Sequence, residues 1–324
     1  MLYFKAMTIN EIYNLAIEMG IKADPRGKAG IDKWLKRTKK LYEKLTDEEK
    51  KEFDQERLTN PYSDSRIHFG DPEKEVKTVM VGIDMEGPEI MLAAMSGDPK
   101  IDLIIAHHPE GKALAALDEV MHLQADLMAA YGVPINVAEG VMKERILEVN
   151  RSVAAANHMR TVDMARRVNM PLMNIHTPAD NLVYDYLQKL MDSKKPDTVA
   201  DVIEILKTIP EYKEASLNNA GPTIIAGAPE NSAGKVVAFD ITGGTNGAKE
   251  IYPELVKAGV GTCIGMHMKD ESREEAIKNH LNVVIAGHIS SDSIGMNLFL
   301  DKLEEKAIKI IPISGLIRIN RSKK

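Results

Sequence analysis

The sequence predicts an α/β protein of two related α/β parts, with largely parallel or mixed sheets covered by helices, preceded by an N-terminal helical extension. Three observations predict it. Short apolar runs rich in β-branched residues recur from about residue 76 onward, each of a length that suits a buried strand. Helical patterns separate most of these runs, and such alternation predicts parallel strands with helices on both faces. Residues 1–60 lack such runs and read as helices.

Taken in order, residues 8–20 carry an apolar stripe at helical spacing, with Thr8 as cap, Glu11 completing a capping box and Gly20 as stop. A second helix covers residues 31–45, with a lysine-rich face that reads as solvated because acidic Asp47, Glu48 and Glu49 follow at once. Thr46 caps a third helix through Glu56, and Asn60-Pro-Tyr-Ser-Asp64 connects to the main domain. Domain limits follow: a helical extension over 1–65 and an α/β domain over 66–324, with similar halves at roughly 66–215 and 216–324. The first half has strands at 76–84, 101–106, 133–137 and 171–175. Its helices fall at 87–94, 112–131, 142–168, 181–191 and 198–206. The second half has strands at 223–226, 235–241, 261–266, 282–286 and 308–313, with helices at about 247–258, 272–279 and 294–305.

Composition narrows the function. Hydrophobic residues make up 44% and aromatics only 5%, so the core is aliphatic, with 18 methionines to fill gaps. A net charge of −6 argues against nucleic acid or an anionic membrane surface as partner. The single cysteine, Cys263, leaves no internal disulfide and fits a reducing compartment. No stretch approaches a membrane span, and the N-terminus lacks the pattern of a signal peptide. A cytoplasmic protein is the expectation.

Chemistry concentrates at three strand ends. His107-His108-Pro109 closes the run 101–106, His176-Thr-Pro-Ala-Asp180 follows 171–175, and Gly287-His288-Ile-Ser-Ser-Asp292 follows 282–286. Ligands of open α/β sheets bind beyond the carboxyl ends of strands. A lone His-His pair reads more readily as one packed and one exposed ring. Three such clusters, two with a carboxylate four residues after the histidine, point instead to a shared metal site. Nitrogen and carboxylate donors without thiolate suit zinc, iron, manganese or nickel. The count exceeds the needs of one catalytic zinc and suits two ions with water between them as nucleophile.

These motifs resemble the dinuclear-metal family of NGG-interacting factor three, whose members carry the label GTP cyclohydrolase I type 2 homologues. The resemblance rests on residues 71–84, the run ending in His107-His108-Pro109, HTPAD at 176–180, the strand 235–241 with its Gly243-Gly244 turn, and GHISSDSIG from Gly287. It covers about residues 70–315. It implies that His107 and His108 bind one metal each, Asp180 the first, His288 the second, and that Asp292 bridges both. His176 is then a ligand or a neighbour of one. It also implies two divalent ions per chain, zinc, iron or manganese, and a ring-shaped homohexamer with inward-facing sites. Three features depart from the family. The bridging position usually carries glutamate, the segment 112–165 is an insertion, and His267 stands where a short histidine motif is expected.

Thr242-Gly-Gly-Thr-Asn-Gly247 reads as a tight turn or a phosphate loop, without a full Walker or dinucleotide pattern. Asp84 and Glu86 end the first strand. Glu110 and His267 are the candidate proton carriers. The expected function is a metal-dependent hydrolase of a phosphoester, cyclic amide or nucleotide-like small molecule, using a bridging water. The alternative is a regulatory or scaffold protein whose ions stabilise the oligomer. A third reading places regulation in the basic N-terminal helix, with residues 1–60 dispensable for the metal core.

Overall fold

The computed structural model describes residues 6–322. The first five residues of the expected extension, the start of the segment read for a signal peptide, and the last two residues of the chain lie outside the described residues.

A short strand β1 (Met7–Thr8) leads into α1 (Ile9–Ala23), whose Thr8–Glu11 capping box forms as the sequence implies. Gly20 does not stop this helix. It lies inside it, where a Cβ would come 2.6 Å from Pro178 Cα, so glycine permits a close helix crossing. α2 (Gly27–Glu43) and α3 (Asp47–Glu52) follow, the latter with a Thr46–Glu49 capping box, and a 3-10 turn at Gln55–Leu58 replaces the rest of the expected third helix.

The α/β part opens with β2 (Arg66–Phe69), β3 (Glu75–Val76) and β4 (Thr78–Gly82), then α4 (Gly87–Met95) and β5 (Leu103–Ala106). Residues 111–131 form three short helices, α5 (Gly111–Ala115), α6 (Leu117–Val120) and α7 (His122–Tyr131). The strand expected at 133–137 does not form. Pro134 takes an extended ψ of 131° as N-cap, and α8 (Ile135–Ala154) begins at once. Five residues, apolar but for one asparagine, carry no length signal against a helix, and proline suits a helix start. The single long helix expected to 168 breaks after Ala154 and resumes as α9 (Arg160–Arg167). β6 (Leu172–Asn174), α10 (Thr177–Lys194), α11 (Val199–Lys207) and the unanticipated α12 (Pro210–Leu217) complete this stretch. The second series is β7 (Thr223–Ala226), β8 (Lys235–Asp240), α13 (Ile251–Lys257), β9 (Val260–Gly265), α14 (Asp270–Lys278), β10 (Asn282–Ile285), α15 (His288–Glu304) and β11 (Lys309–Pro312).

Two mixed sheets result, as the sequence implies. The first has the order β11-β4-β5-β6-β2, with only β2 antiparallel, and the second β7-β10-β9-β8, with only β7 antiparallel. The C-terminal strand β11 therefore returns to the first sheet and pairs in parallel with β4. β1 and β3 form a separate antiparallel pair. Alternation along each strand divides the core. Val79, Val81, Leu103, Ile105 and Met173 pack with α1, α10 and α15, whereas Met80, Ile104 and Leu172 pack with α4 and α9. In the second sheet Val237, Phe239, Cys263 and Val283 meet α7, α8 and α13, and Val236, Ala238, Ile264 and Val284 meet α10 and α11. Helix α10 thus packs on both sheets, through Ala179 on one and Val183, Leu187 and Met191 on the other. Among the described residues no helix is long and apolar enough to cross a membrane.

Candidate metal centre

The carboxyl ends of the central strands set the site. Register pairs Gly82 with Ala106 and Ala106 with Asn174, so β4, β5 and β6 end level, and His107, His108 and His176 leave that edge together. From the other sheet, β10 ends at Ile285 and α15 starts at His288. His176 and Asp180 lie one turn apart at the start of α10, as do His288 and Asp292 on α15, so each pair projects from one helix face. Glycine brings these helices close: a Cβ on Gly295 would come 2.3 Å from the Ala179 carbonyl oxygen, while Gly20 lets α1 approach α10 at Pro178.

Three sets of donor atoms converge to within 4.8 Å: His107, Asp180 and Asp292; His108, His288 and Asp292; and His107, His108 and His176. Asp292 belongs to the first two. Its Oδ1 is 3.5 Å from His107 Nε2, and its Oδ2 is 3.5 Å from Nε2 of both His108 and His288. His107 Nε2 is also 3.4 Å from Asp180 Oδ1. His107, His176, Asp180 and Asp292 are buried, while His108 and His288 are half-exposed.

Hydrogen bonds fix the rings so that Nε2 faces inward. His107 Nδ1 donates to the Ile175 carbonyl at 3.0 Å, His108 Nδ1 to Asp84 at 2.6 Å, and His176 Nδ1 to Asp64 at 2.8 Å. These partners only accept, so Nδ1 carries a hydrogen, and each neutral ring turns the lone pair of Nε2 inward. A lone pair 3.5 Å from a carboxylate oxygen is not a hydrogen bond, and the contact is longer than a charge-assisted one. Accordingly His107 Nε2, Asp180 Oδ1 and both oxygens of Asp292 are buried without a hydrogen-bond partner. Orphaned acceptors at this spacing fit a cation. Two donors each about 2.1 Å from a tetrahedral ion lie about 3.4 Å apart. The donor set is nitrogen and oxygen, with the one thiol, Cys263, buried in the second sheet.

Electrostatics agree. Burial pushes the Asp180 carboxyl up to about 8. Burial would also raise Asp292, but the imidazoles of His107, His108 and His288 outweigh it and hold this carboxyl well below the usual range. Burial disfavours charge on His108, yet the adjacent carboxylates of Asp292 and Asp84 raise it to about 10. Asp64, fully buried, is lowered despite burial because His176 and Thr177 donate to it.

The remaining sequence candidates fall into two groups. His267 lines a narrow cleft together with His176, Asp180, His288 and Asp292, and its ring lies edge-on to His288 at 4.6 Å. Burial and the neighbouring His288 hold its imidazole down to about 4. Glu110 does not line this cleft. It sits at the start of α5, where burial lifts its carboxyl to about 7 against a hydrogen bond from Thr161. Asp84 reaches the centre through His108, whereas Glu86 turns to Arg160 at 2.6 Å. The Gly243-Gly244 segment walls the cleft, and its helix begins only at Ile251. The carbonyls of Gly243 and Thr245 accept from the Gln124 amide at 2.8 and 2.6 Å, and both glycines adopt positive φ, which supports the tight-turn reading. Sequence reasoning missed Asp64 and Gln124. Asp64 stood in a polar connector and Gln124 on a helix face, 112 and 119 residues from their partners.

No protein-family model matches the chain, and no curated protein matches it. Solved structures do. A NIF3 superfamily protein from Sphaerobacter thermophilus shares 25% identity at a TM-score of 0.74, over 96% of this chain and 99% of its own. Reduced HcgD from Methanocaldococcus jannaschii is 16% identical at a TM-score of 0.49, over 82% of this chain and 94% of its own. A Bacillus cereus protein related to NIF3 is 11% identical at 0.47, over 98% and 99%.

Proposed function

The chain belongs to the NIF3-like family, and from that premise we propose that it is a metal-dependent hydrolase holding two divalent ions, zinc, iron or manganese, and acting on a phosphoester, cyclic amide or nucleotide-like small molecule. The observation that carries this reading is Asp292, whose two buried oxygens lack hydrogen bonds and face separate donor sets. His107, Asp180 and Asp292 would hold one ion, and His108, His288 and Asp292 the other. Bound there, the ions would supply Lewis acidity and a water made nucleophilic near neutral pH.

The chain's own groups do the rest. The Ile175 carbonyl and Asp84 orient His107 and His108, as acceptors behind metal-binding histidines do. The half-exposed His288 leaves its side of the centre open to the cleft, as a catalytic site requires. His267, neutral and on the cleft wall, is placed to accept a proton from a bound ligand. Glu110, outside the cleft, is the less direct carrier. A cytoplasmic homo-oligomer, ring-shaped and hexameric, completes the reading. Exposed Met91, Leu92 and Met95 on α4 offer an apolar face for contact between copies.

The test is metal content per chain, purified without chelator, for wild type and Asp292→Ala, followed by a screen of phosphoesters and nucleotides. Two ions falling to one or none, with turnover that tracks metal, supports the proposal. A wild type that neither carries metal nor takes up added zinc, manganese or iron overturns it.

A further inference from the structure

The third ring at the centre, His176, is held by a carboxylate from the connector between the helical extension and the α/β part. Asp64 is fully buried, and its Oδ2 accepts from His176 Nδ1 at 2.8 Å, from the Thr177 hydroxyl at 2.6 Å and from the Thr177 amide at 3.4 Å. The adjacent Ser65 hydroxyl accepts the His176 backbone N–H at 2.9 Å, so one dipeptide fixes both the backbone and the ring. A buried carboxylate is costly unless it is well paired. The nearby Arg66 is not its partner, since that guanidinium goes to Asp54, Glu56 and the carbonyls of Tyr62 and Ser65. Asp64 is therefore committed to the start of α10.

The consequence falls on the other side of the ring. With its hydrogen on Nδ1, His176 presents a bare Nε2 within 4.8 Å of donor atoms of His107 and His108, and 3.9 Å from Asp180 Oδ2. The three ring centroids lie 5.0 to 6.0 Å apart. Inward-facing nitrogens at this spacing share one positive charge, a proton on His108 or a metal ion among the three rings. A carboxylate behind a histidine both sets its tautomer and strengthens it as a donor. We propose that Asp64 is a positioning residue of the metal centre, fixing His176 Nε2 as a further nitrogen donor beside His107 and His108. This rests on the metal-centre reading above, and it adds a residue from outside the three strand-end clusters.

The probe is cobalt(II) loaded into the full chain, read by its visible absorption bands and by its affinity in competition with a chelator. Asp64→Asn, which keeps the size of the side chain, is expected to weaken cobalt binding by about 10- to 100-fold and to shift the bands. His176→Ala is expected to shift them similarly, and the double variant to add nothing to His176→Ala. A purely structural Asp64 would lower thermal stability and leave the spectrum alone. Wild-type bands and affinity in folded Asp64→Asn overturn the proposal while leaving the dinuclear reading intact. If that variant does not fold, an unchanged spectrum in His176→Ala has the same force. No cobalt uptake by the wild type overturns both.

Discussion

His107 Nε2 and Asp292 Oδ1 face each other across 3.5 Å, and among the described residues neither has a hydrogen-bond partner. An unpaired buried polar group costs on the order of 1–3 kcal/mol, so a pair of them held by well-bonded neighbours fits a cation between them. The two donor sets that meet here share only Asp292. Asp180→Asn and His288→Ala are therefore each expected to remove one ion and leave the other. Elemental analysis of the purified variants checks this, and loss of both ions from either one would mean that the sites are not separable.

Metal uptake should expel protons. Without a cation, burial keeps Asp180 protonated up to about pH 8, and His108 holds its proton up to about 10. Ligands must be deprotonated to bind. At pH 7 at least one proton per chain is expected to leave on zinc binding, and affinity should rise between pH 6 and 8. Calorimetry in buffers of different ionisation enthalpy measures the release. An enthalpy that is independent of buffer at pH 7 would contradict it.

What the sequence made legible at the centre is what lies next to a strand end. His107, His176 and His288 directly follow or lie near the end of apolar runs whose hydrophobicity announces the strand, and the four-residue spacing to Asp180 and Asp292 sets both pairs on helix faces. Asp64 is different. It belongs to a polar connector, and its role depends on the pairing of β2 with β6, which composition does not encode. The return of β11 to β4 is equally remote, joining residues 309–312 to 78–81. At 133–137 the local signal was too short to separate strand from helix, and the proline settled it in favour of a helix start.

The close crossing of α10 and α15 should tolerate no added methyl. A Cβ on Gly295 would approach the Ala179 carbonyl oxygen to 2.3 Å, and the obstacle is backbone. Gly295→Ala is expected to cost at least about 1–3 kcal/mol, the usual range for overpacking, and to lower metal occupancy, because Asp180 and Asp292 flank the contact. Thermal melts with and without zinc check both effects. A variant with wild-type melting and metal content would show that the helices slide apart freely.

Asp240 gives a stability effect with a definite pH window. Burial raises its carboxyl to about 6, against a hydrogen bond from the Tyr252 hydroxyl at 2.8 Å. The unfolded chain ionises near 3.8. Between these values the folded state holds a proton that the unfolded state has lost, so stability falls as pH rises from about 4 to 6 and stays reduced above. Asp240→Asn removes that dependence. Its stability relative to wild type is expected to improve by on the order of 1–2 kcal/mol from pH 4 to pH 7. Urea melts at the two pH values measure it, and a constant difference would refute the assignment.

The helical extension is expected to be inseparable from the core. Helix α1 buries Ile9, Ile12, Tyr13, Ala16 and Ile17 in the same cluster as Val79 and Val81 of β4 and Phe299 of α15. Burying a large apolar side chain contributes about 1.5–3 kcal/mol, so the four large ones together contribute roughly 6–12. A whole domain is stable by only about 5–15 kcal/mol. The polar links point the same way. The Tyr13 hydroxyl donates to the Ser65 carbonyl at 2.6 Å, and the Asn181 amide of α10 donates to Asp24 at 3.2 Å. A chain beginning at residue 61 should therefore lose cooperative melting and near-ultraviolet dichroism together with its metal. A truncated protein that melts cooperatively and still binds two ions would instead make the extension a separable module, and would move the search for its role to the lysine-rich face of α2.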